Sequence, residues 1–328
     1  MDRRHFILTT AGTVLGIAAG NFSKAEAREN GQKMKTRVAL VKGQTRTDAI
    51  GRAIDMLAVN PVAGRKILIK PNFNTADPFP ASTHNDTLVL LIEKLKSMGA
   101  GDLTIGERCG PPETATVIHE KGIDSICKQY GVQMVNFEEL PESQWQRVKP
   151  LESHWQDGFD VARPVLDSEC IVSTCCLKTH RYGGVFTMSL KLSVGITHKR
   201  NMGELHGSTK NMRKMIAEIN QVYAPALILL DGMEVFTDGG PMSGVLKRAD
   251  IIIAGTDRIA IDAVGLAVLK ELGANRQIMQ TKIFNQEQIA RAVELGLGVG
   301  RPENIEFLTE DPLSSSYAAR LQDILLQG

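Results

Sequence analysis

Short apolar runs alternate along the chain with segments whose apolar residues recur at helical spacing. Residues 37–42, 66–70, 103–105 and 133–137 read as strands. Between the first two, Ala49, Ile50, Ala53, Ile54 and Leu57 share one helical face, with Thr45 or Thr47 as the cap. A second amphipathic helix covers 88–98 and stops at Gly99, and helical spacing returns over 114–130. The later chain keeps the rhythm. Strands are predicted at 169–174, 226–230, 249–254 and, at the edge, 304–308. Helical segments fall at 186–194, 212–222, 259–272 and 287–295, with a short helix at the C-terminus. Connections this long are crossovers, not hairpins. The expected fold is α/β, a mostly parallel, doubly wound sheet with helices on both faces. Over 138–167 the alternation breaks, in a stretch that holds Trp145, Trp155 and three prolines. It reads as an irregular insertion of short strands and loops capping the sheet.

Composition narrows the function more than the fold. A chain of 328 residues, 43% hydrophobic and 23% charged, is long enough and apolar enough to bury a substantial core. A net charge of +1 supplies no field to recruit nucleic acid or an anionic membrane, and base-stacking motifs are missing. Five cysteines, an odd number, do not make a disulfide framework.

The first residues read as an address. Arg3-Arg4 is followed by Phe6 and an apolar run over 7–19, too short to span a bilayer, and Ala25-Glu26-Ala27 offers a signal-peptidase site. The expectation is a twin-arginine signal peptide over 1–27, cleaved after Ala27. The translocase would then be a partner during export, the location periplasmic, and the mature chain would carry no stable membrane span. Residues 36–328 then form the α/β domain.

Polar residues cluster just after the predicted strands: Lys70, Asn72 and Asn74 after the second, Glu107, Arg108, Cys109 and Gly110 after the third. Cys175, Cys176, Lys178 and His180 follow the central strand, with Asp231 and Asp257 after later ones. Carboxyl ends of parallel strands share one sheet edge, so a single crevice gathers them. In Lys70-Pro71-Asn72 the proline holds Lys70 extended, a rigid cation suited to a carboxylate or phosphate. His84 precedes the helix at 88–98 either as cap material or facing the crevice. Thr187 and Lys191, four apart, share a helical face, which makes Lys191 a second anchor or an acid/base lysine. Asp257 reads as the cap of the helix at 259–272. Asp262, set among apolar neighbours, either pairs with a buried cation or faces the site.

Cys175, Cys176, His180 and His198 are candidate metal ligands, although their spacing matches no standard zinc arrangement. Lys178, Arg181, Lys191, Lys199 and Arg200 share the same stretch and would repel a bare metal ion, which favours an anionic ligand. Neither the dinucleotide fingerprint nor the P-loop occurs.

These segments resemble the DUF362 family, a domain of unknown function. The likeness is carried by Lys70-Pro71-Asn72, Leu177-Lys178-Thr179-His180, Thr187-Met188-Ser189-Leu190-Lys191, His206 and Asp231-Gly232-Met233. Gly240-Pro241, Gly244 and the run Thr256-Asp257-Arg258-Ile259-Ala260-Ile261-Asp262-Ala263 complete it, so that it covers roughly 38–273. The resemblance implies an α/β fold and an iron–sulfur association, but the chain has no Cys-x-x-Cys-x-x-Cys run. The family's Lys-Asn is Lys191-Leu192 here. The cofactor is left open between none, a metal and an iron–sulfur cluster. The functional expectation is a periplasmic enzyme of redox or carbanion type acting on a small anion. Lys70, Asn72, Lys178 and His180 would bind the anion, His206, Asp231 and Lys191 would carry catalysis, and Cys175 or Cys176 would ligate a cofactor. The alternative is a non-catalytic protein that captures an anionic ligand, metal or cofactor.

Overall fold

The computed structural model describes residues 35–328; the expected signal peptide lies outside them. The strands are β1 (Thr36–Lys42), β2 (Ile67–Lys70), β3 (Leu103–Glu107), β4 (Gln133–Asn136), β5 (Trp145–Val148) and β6 (Phe159–Ala162). They continue as β7 (Cys170–His180), β8 (Val185–Thr187), β9 (Leu227–Gly239), β10 (Gly244–Gly255) and β11 (Ile305–Leu308). One sheet runs in the order β11-β1-β10-β9-β7-β2-β3-β4, with β8 paired to β7. From β9 to β4 every neighbour is parallel, whereas β10 pairs antiparallel with both β9 and β1. The protein is α/β, and the sheet is mostly parallel.

Alternation along the strands sorts side chains onto two faces. Val38, Leu40, Cys175, Leu177, Leu230 and Ile253 enter one core with the helix Arg258–Glu271. That helix is apolar on nearly every side because sheet and neighbouring helices enclose it. Ala39, Val41, Ile67, Ile69, Val172 and Leu229 enter the opposite core with the helices Arg46–Met56 and Asn85–Ser97. No helix among the described residues is long and apolar enough to cross a membrane.

Several elements differ from the expectation. The segment 114–130 is two helices, broken at Gly122, whose φ of 66° suits a residue without Cβ. β9 and β10 run on through Asp231 and up to Ala249 as a long antiparallel hairpin, because the glycines at Gly239, Gly240 and Gly244 permit the turn. The C-terminal helix is long, Pro312–Gln327, with Asp311 capping it. In the insertion β5 and β6 form a separate antiparallel pair. Trp145, Trp155 and Phe159 pack with Leu68 and Ile171 of the sheet and with Met212, Met215 and Ile216.

The strand order fixes where a site is expected. From β2 the chain moves outward to β3 and β4, then returns to the other side of β2 to build β7 and β9. Connections leaving β2 and β7 therefore diverge, and a crevice opens between their carboxyl ends.

Candidate functional site

At that switch point lies a cavity of about 50 Å³, measured to the centre of a water-sized sphere. Because this counts only the space open to the sphere's centre, the room for a guest is larger, and it suits a molecule of a few non-hydrogen atoms. Lys70 from β2, Glu107 and Arg108 from the end of β3, and Lys178 and His180 from β7 line it. Thr187 and Lys191 close the remaining side.

The strand β7 extends to His180, six residues beyond the run read as apolar, because β8 and β9 keep pairing with it. Lys178 and His180 therefore stand on a strand, not in a loop. Lys178 is fully buried, and its Nζ donates to the carbonyls of Pro80 (2.8 Å) and Ala81. Lys70 Nζ lies 2.5 Å from Glu107 Oε1, and Glu107 also accepts from the amides of Arg108 and Phe73. Burial pushes the Lys70 ammonium down and the Glu107 carboxyl up, and their attraction pulls each back. Among the described residues the Arg108 guanidinium meets no carboxylate. Its guanidinium donates to the carbonyls of Thr197, Cys109 and Val194 at 2.6–2.7 Å. A Cβ at Gly195 would stand 2.4 Å from Glu107 Oε1 and 2.8 Å from Lys70 Nζ, so only glycine lets the backbone this close to the pair.

Lys191 is in the 3₁₀ helix Leu190–Ile196, which follows strand β8 and replaces the expected α-helical piece. Thr187 and Lys191 both reach the cavity, Thr187 as the strand partner of Lys178. Asp262 fixes this turn: its carboxylate accepts from the amides of Ser189 (2.7 Å) and Leu190 (3.1 Å). Burial pushes Asp262 up to about 8 against those two donors and Arg258. Of the two options for Asp262 the structure shows neither a direct ion pair nor a place in the cavity wall; it holds the segment carrying Lys191.

Burial lowers Lys178 to about 8, helped by Lys121. Lys191 also falls to about 8, through burial and then repulsion from Lys178 and Arg108. His180 is pushed down to about 2 by burial and the nearby lysines, so its imidazole is neutral at physiological pH. Four cationic side chains thus face one carboxylate. Asn72 Oδ1, Asn74 Nδ2, His180 Nδ1 and Thr187 Oγ1 are buried here without a hydrogen-bond partner among the described residues. Buried polar atoms are rarely left unpaired, and four around one cavity mark a place prepared for a polar guest.

Other expected site residues lie elsewhere. Asp231 is within β9 and not at its end, because the strand continues to Gly239. Its carboxylate meets Arg46 Nε (2.8 Å), Thr87 Oγ1 (2.5 Å) and the Met233 amide, tying two helices to the sheet. His206 is exposed outside the cavity wall, its Nδ1 2.8 Å from the Met202 carbonyl. His198 accepts the Arg200 amide and packs edge-on against Trp145, capping a turn instead of facing the cavity. His84 caps the helix Asn85–Ser97, and Asp257 caps Arg258–Glu271. Cys175 and Cys176 are buried strand residues, and Cys175 belongs to the core beneath the helix Arg258–Glu271. Burial raises both thiols, which disfavours the thiolate that ligates metal. Among the described residues no three His, Cys, Asp or Glu side chains converge on a metal site. The cavity's donor set, rich in ammonium and guanidinium groups, does not fit a bare metal ion or an iron–sulfur cluster.

The insertion 138–167 contributes nothing to the cavity wall. Backbone approach at Gly195 and the contribution of Pro241, across the β9–β10 turn, carried no polar signal in the sequence.

Fold and cavity together define an open-sheet α/β protein with a small polar cavity at its switch point. The chain belongs to the family described as domain of unknown function DUF362, whose family model matches residues 67–267. None of the curated proteins matches it. Among solved structures it is similar to the lactate racemase apoprotein from Thermoanaerobacterium thermosaccharolyticum, at 14% identity and a TM-score of 0.45. That match covers 69% of this chain and 55% of the other. A structural genomics protein from Thermotoga maritima gives 14% identity and a TM-score of 0.44, over 70% of this chain and 59% of its own. The chain thus spans little more than half the length of either.

Proposed function

We propose that this DUF362 protein binds a small oxyanion, a short carboxylate or a group of phosphate size, in the cavity between β2 and β7. We further propose that it is an exported, periplasmic enzyme of the carbanion type. The observation that carries the reading is the convergence of Lys70, Arg108, Lys178 and Lys191 with four unpartnered polar atoms on one cavity. The cations supply the attraction, and the orphaned Asn72, Asn74, Thr187 and His180 atoms supply directional partners. The space is too small for a nucleotide. Lys191 is the group placed to move a proton beside the bound anion, since burial and the neighbouring cations bring it to about 8, and neutral His180 serves as a hydrogen-bonding partner.

Calorimetric titration of the purified chain with phosphate, sulfate, acetate, oxalate and pyruvate tests this. At least one anion is expected to bind and to lose affinity in Lys178→Ala and His180→Ala. If no anion binds at millimolar concentration, or both variants bind like the parent, the cavity is not the site.

A further inference from the structure

Three of the four cations around the cavity are already engaged. Lys70 faces Glu107, Arg108 covers three carbonyls, and Lys178 donates to two. Lys191 makes no hydrogen bond or ion pair among the described residues, although it lines the same cavity. The distinction is chemical. The Lys178 nitrogen, donating to two carbonyl oxygens, is tied to the cavity wall. Lys191, half-buried and without acceptors, is free to turn its nitrogen towards a guest, and burial together with repulsion from Lys178 and Arg108 favours its neutral amine.

Gly184 supplies a second, independent observation. A Cβ there would stand 2.9 Å from His180 Nδ1 and 2.9 Å from Lys191 Cε. Imidazole and lysine therefore flank one small volume that any other residue would fill. His180 Nδ1 has no partner among the described residues, so it is free to hydrogen-bond a group bound there.

We propose that Lys191 is an imine-forming nucleophile and that the substrate class is a small 2-oxo carboxylate. This rests on the anion-binding reading. The carboxylate lies against Lys178 and Arg108, and the 2-oxo carbon faces Lys191. The neutral amine attacks that carbon, a C–N bond forms, and the carbonyl π pair becomes an alkoxide. One proton passes from the nitrogen to this oxygen, a second is taken up from solvent, water leaves as the C–O bond breaks, and a protonated imine remains. No oxidant or reductant enters. The iminium then draws electrons from a C–H or C–C bond on the neighbouring carbon, so Lys191 acts as a covalent electron sink and not only as an anchor.

The test is reductive trapping. The chain is incubated with pyruvate and then with sodium cyanoborohydride, and intact mass and peptide mapping locate any adduct. One adduct per chain at Lys191 is expected, none with lactate, and none in Lys191→Arg at an unchanged melting temperature. Trapping is expected to speed up as pH rises towards about 8, where more amine is neutral. Pyruvate binding seen by calorimetry without an adduct overturns the inference and leaves the anion-binding reading standing. So does an adduct on another lysine, or binding of oxalate but not pyruvate. Failure of every anion to bind overturns both.

Discussion

Asp231 and the cavity at Lys191 are both buried, both charged, and both stand on the central strands, yet they are built to opposite rules. At Asp231 the carboxylate meets Arg46, Thr87 and the Met233 amide. Glu218 follows the same rule, with Ser153, His154 and Arg291 gathered on one carboxylate that pins the insertion to two helices. At the cavity cations outnumber carboxylates, and among the described residues Lys191 has no partner and four polar atoms are unmatched. Residue type does not separate the two regions, since each has carboxylates, hydroxyls and cations. Saturation does. A satisfied charge cluster holds elements together, and an unsatisfied one costs stability that a ligand can return.

The comparison breaks most visibly if the saturated cluster is opened. Asp231→Ala leaves Arg46 without its carboxylate and is expected to cost about 3 kcal/mol in chemical denaturation. Anion affinity of the protein that remains folded should be unchanged. A matching loss of affinity would mean the two regions are one. Lys191→Met runs the opposite way: at least a tenfold loss of anion affinity, about 1.4 kcal/mol, with stability held or raised by about 1 kcal/mol. A large loss of stability instead would place Lys191 among the structural charges.

Titration sharpens the contrast further. Lys178 and Lys191 fall to about 8 in the folded protein from an ordinary 10.5. Between those values the unfolded chain holds more protons than the folded one, so these lysines make stability rise with pH from about 8 towards 10.5. Each contributes a slope of at most about 1.4 kcal/mol per pH unit. Below pH 8 both are charged in either state, and the penalty for burying them is fully present. Anion affinity should decline as pH climbs through 8. Denaturation and binding series at several pH values, repeated with Lys191→Met, should show a shallower alkaline slope in the variant. The smallest effect is expected from His198→Ala, which removes a turn cap: under about 1 kcal/mol, with anion affinity intact.

Much of the fold was legible because burial on both faces writes itself as short apolar runs. The parallel strands β2, β3 and β4 and the helices after β1 and β2 stand close to their expected places. Legibility failed where partners, not local pattern, extend an element. Nothing in Cys176-Leu177-Lys178-Thr179-His180 signals a strand until β8 and β9 lie beside it. β9 likewise runs through Asp231-Gly232 only because β10 folds back on it. The same reason divides the candidate site. Lys70, Asn72, Lys178, His180 and Lys191 meet at the cavity, as strand-end logic suggests. Asp231, His206, His198 and the two cysteines do not, since the direction of a side chain depends on register, and that is set by neighbours distant in sequence. Arg108, which ranks with the lysines here, was visible only as one of several polar residues after β3.

The last partner of β7 on the β2 side is Ser173, opposite Lys70, yet the strand continues to His180. Lys178 and His180 are thus mounted on a cantilever braced by β8 and β9, beyond the edge where β2 stops. Their amides should exchange with solvent as slowly as those of the sheet's centre, whether or not an anion is present. A guest entering the cavity then orders little main chain, so its residence is governed by escape from a ready-made socket and not by assembly of one.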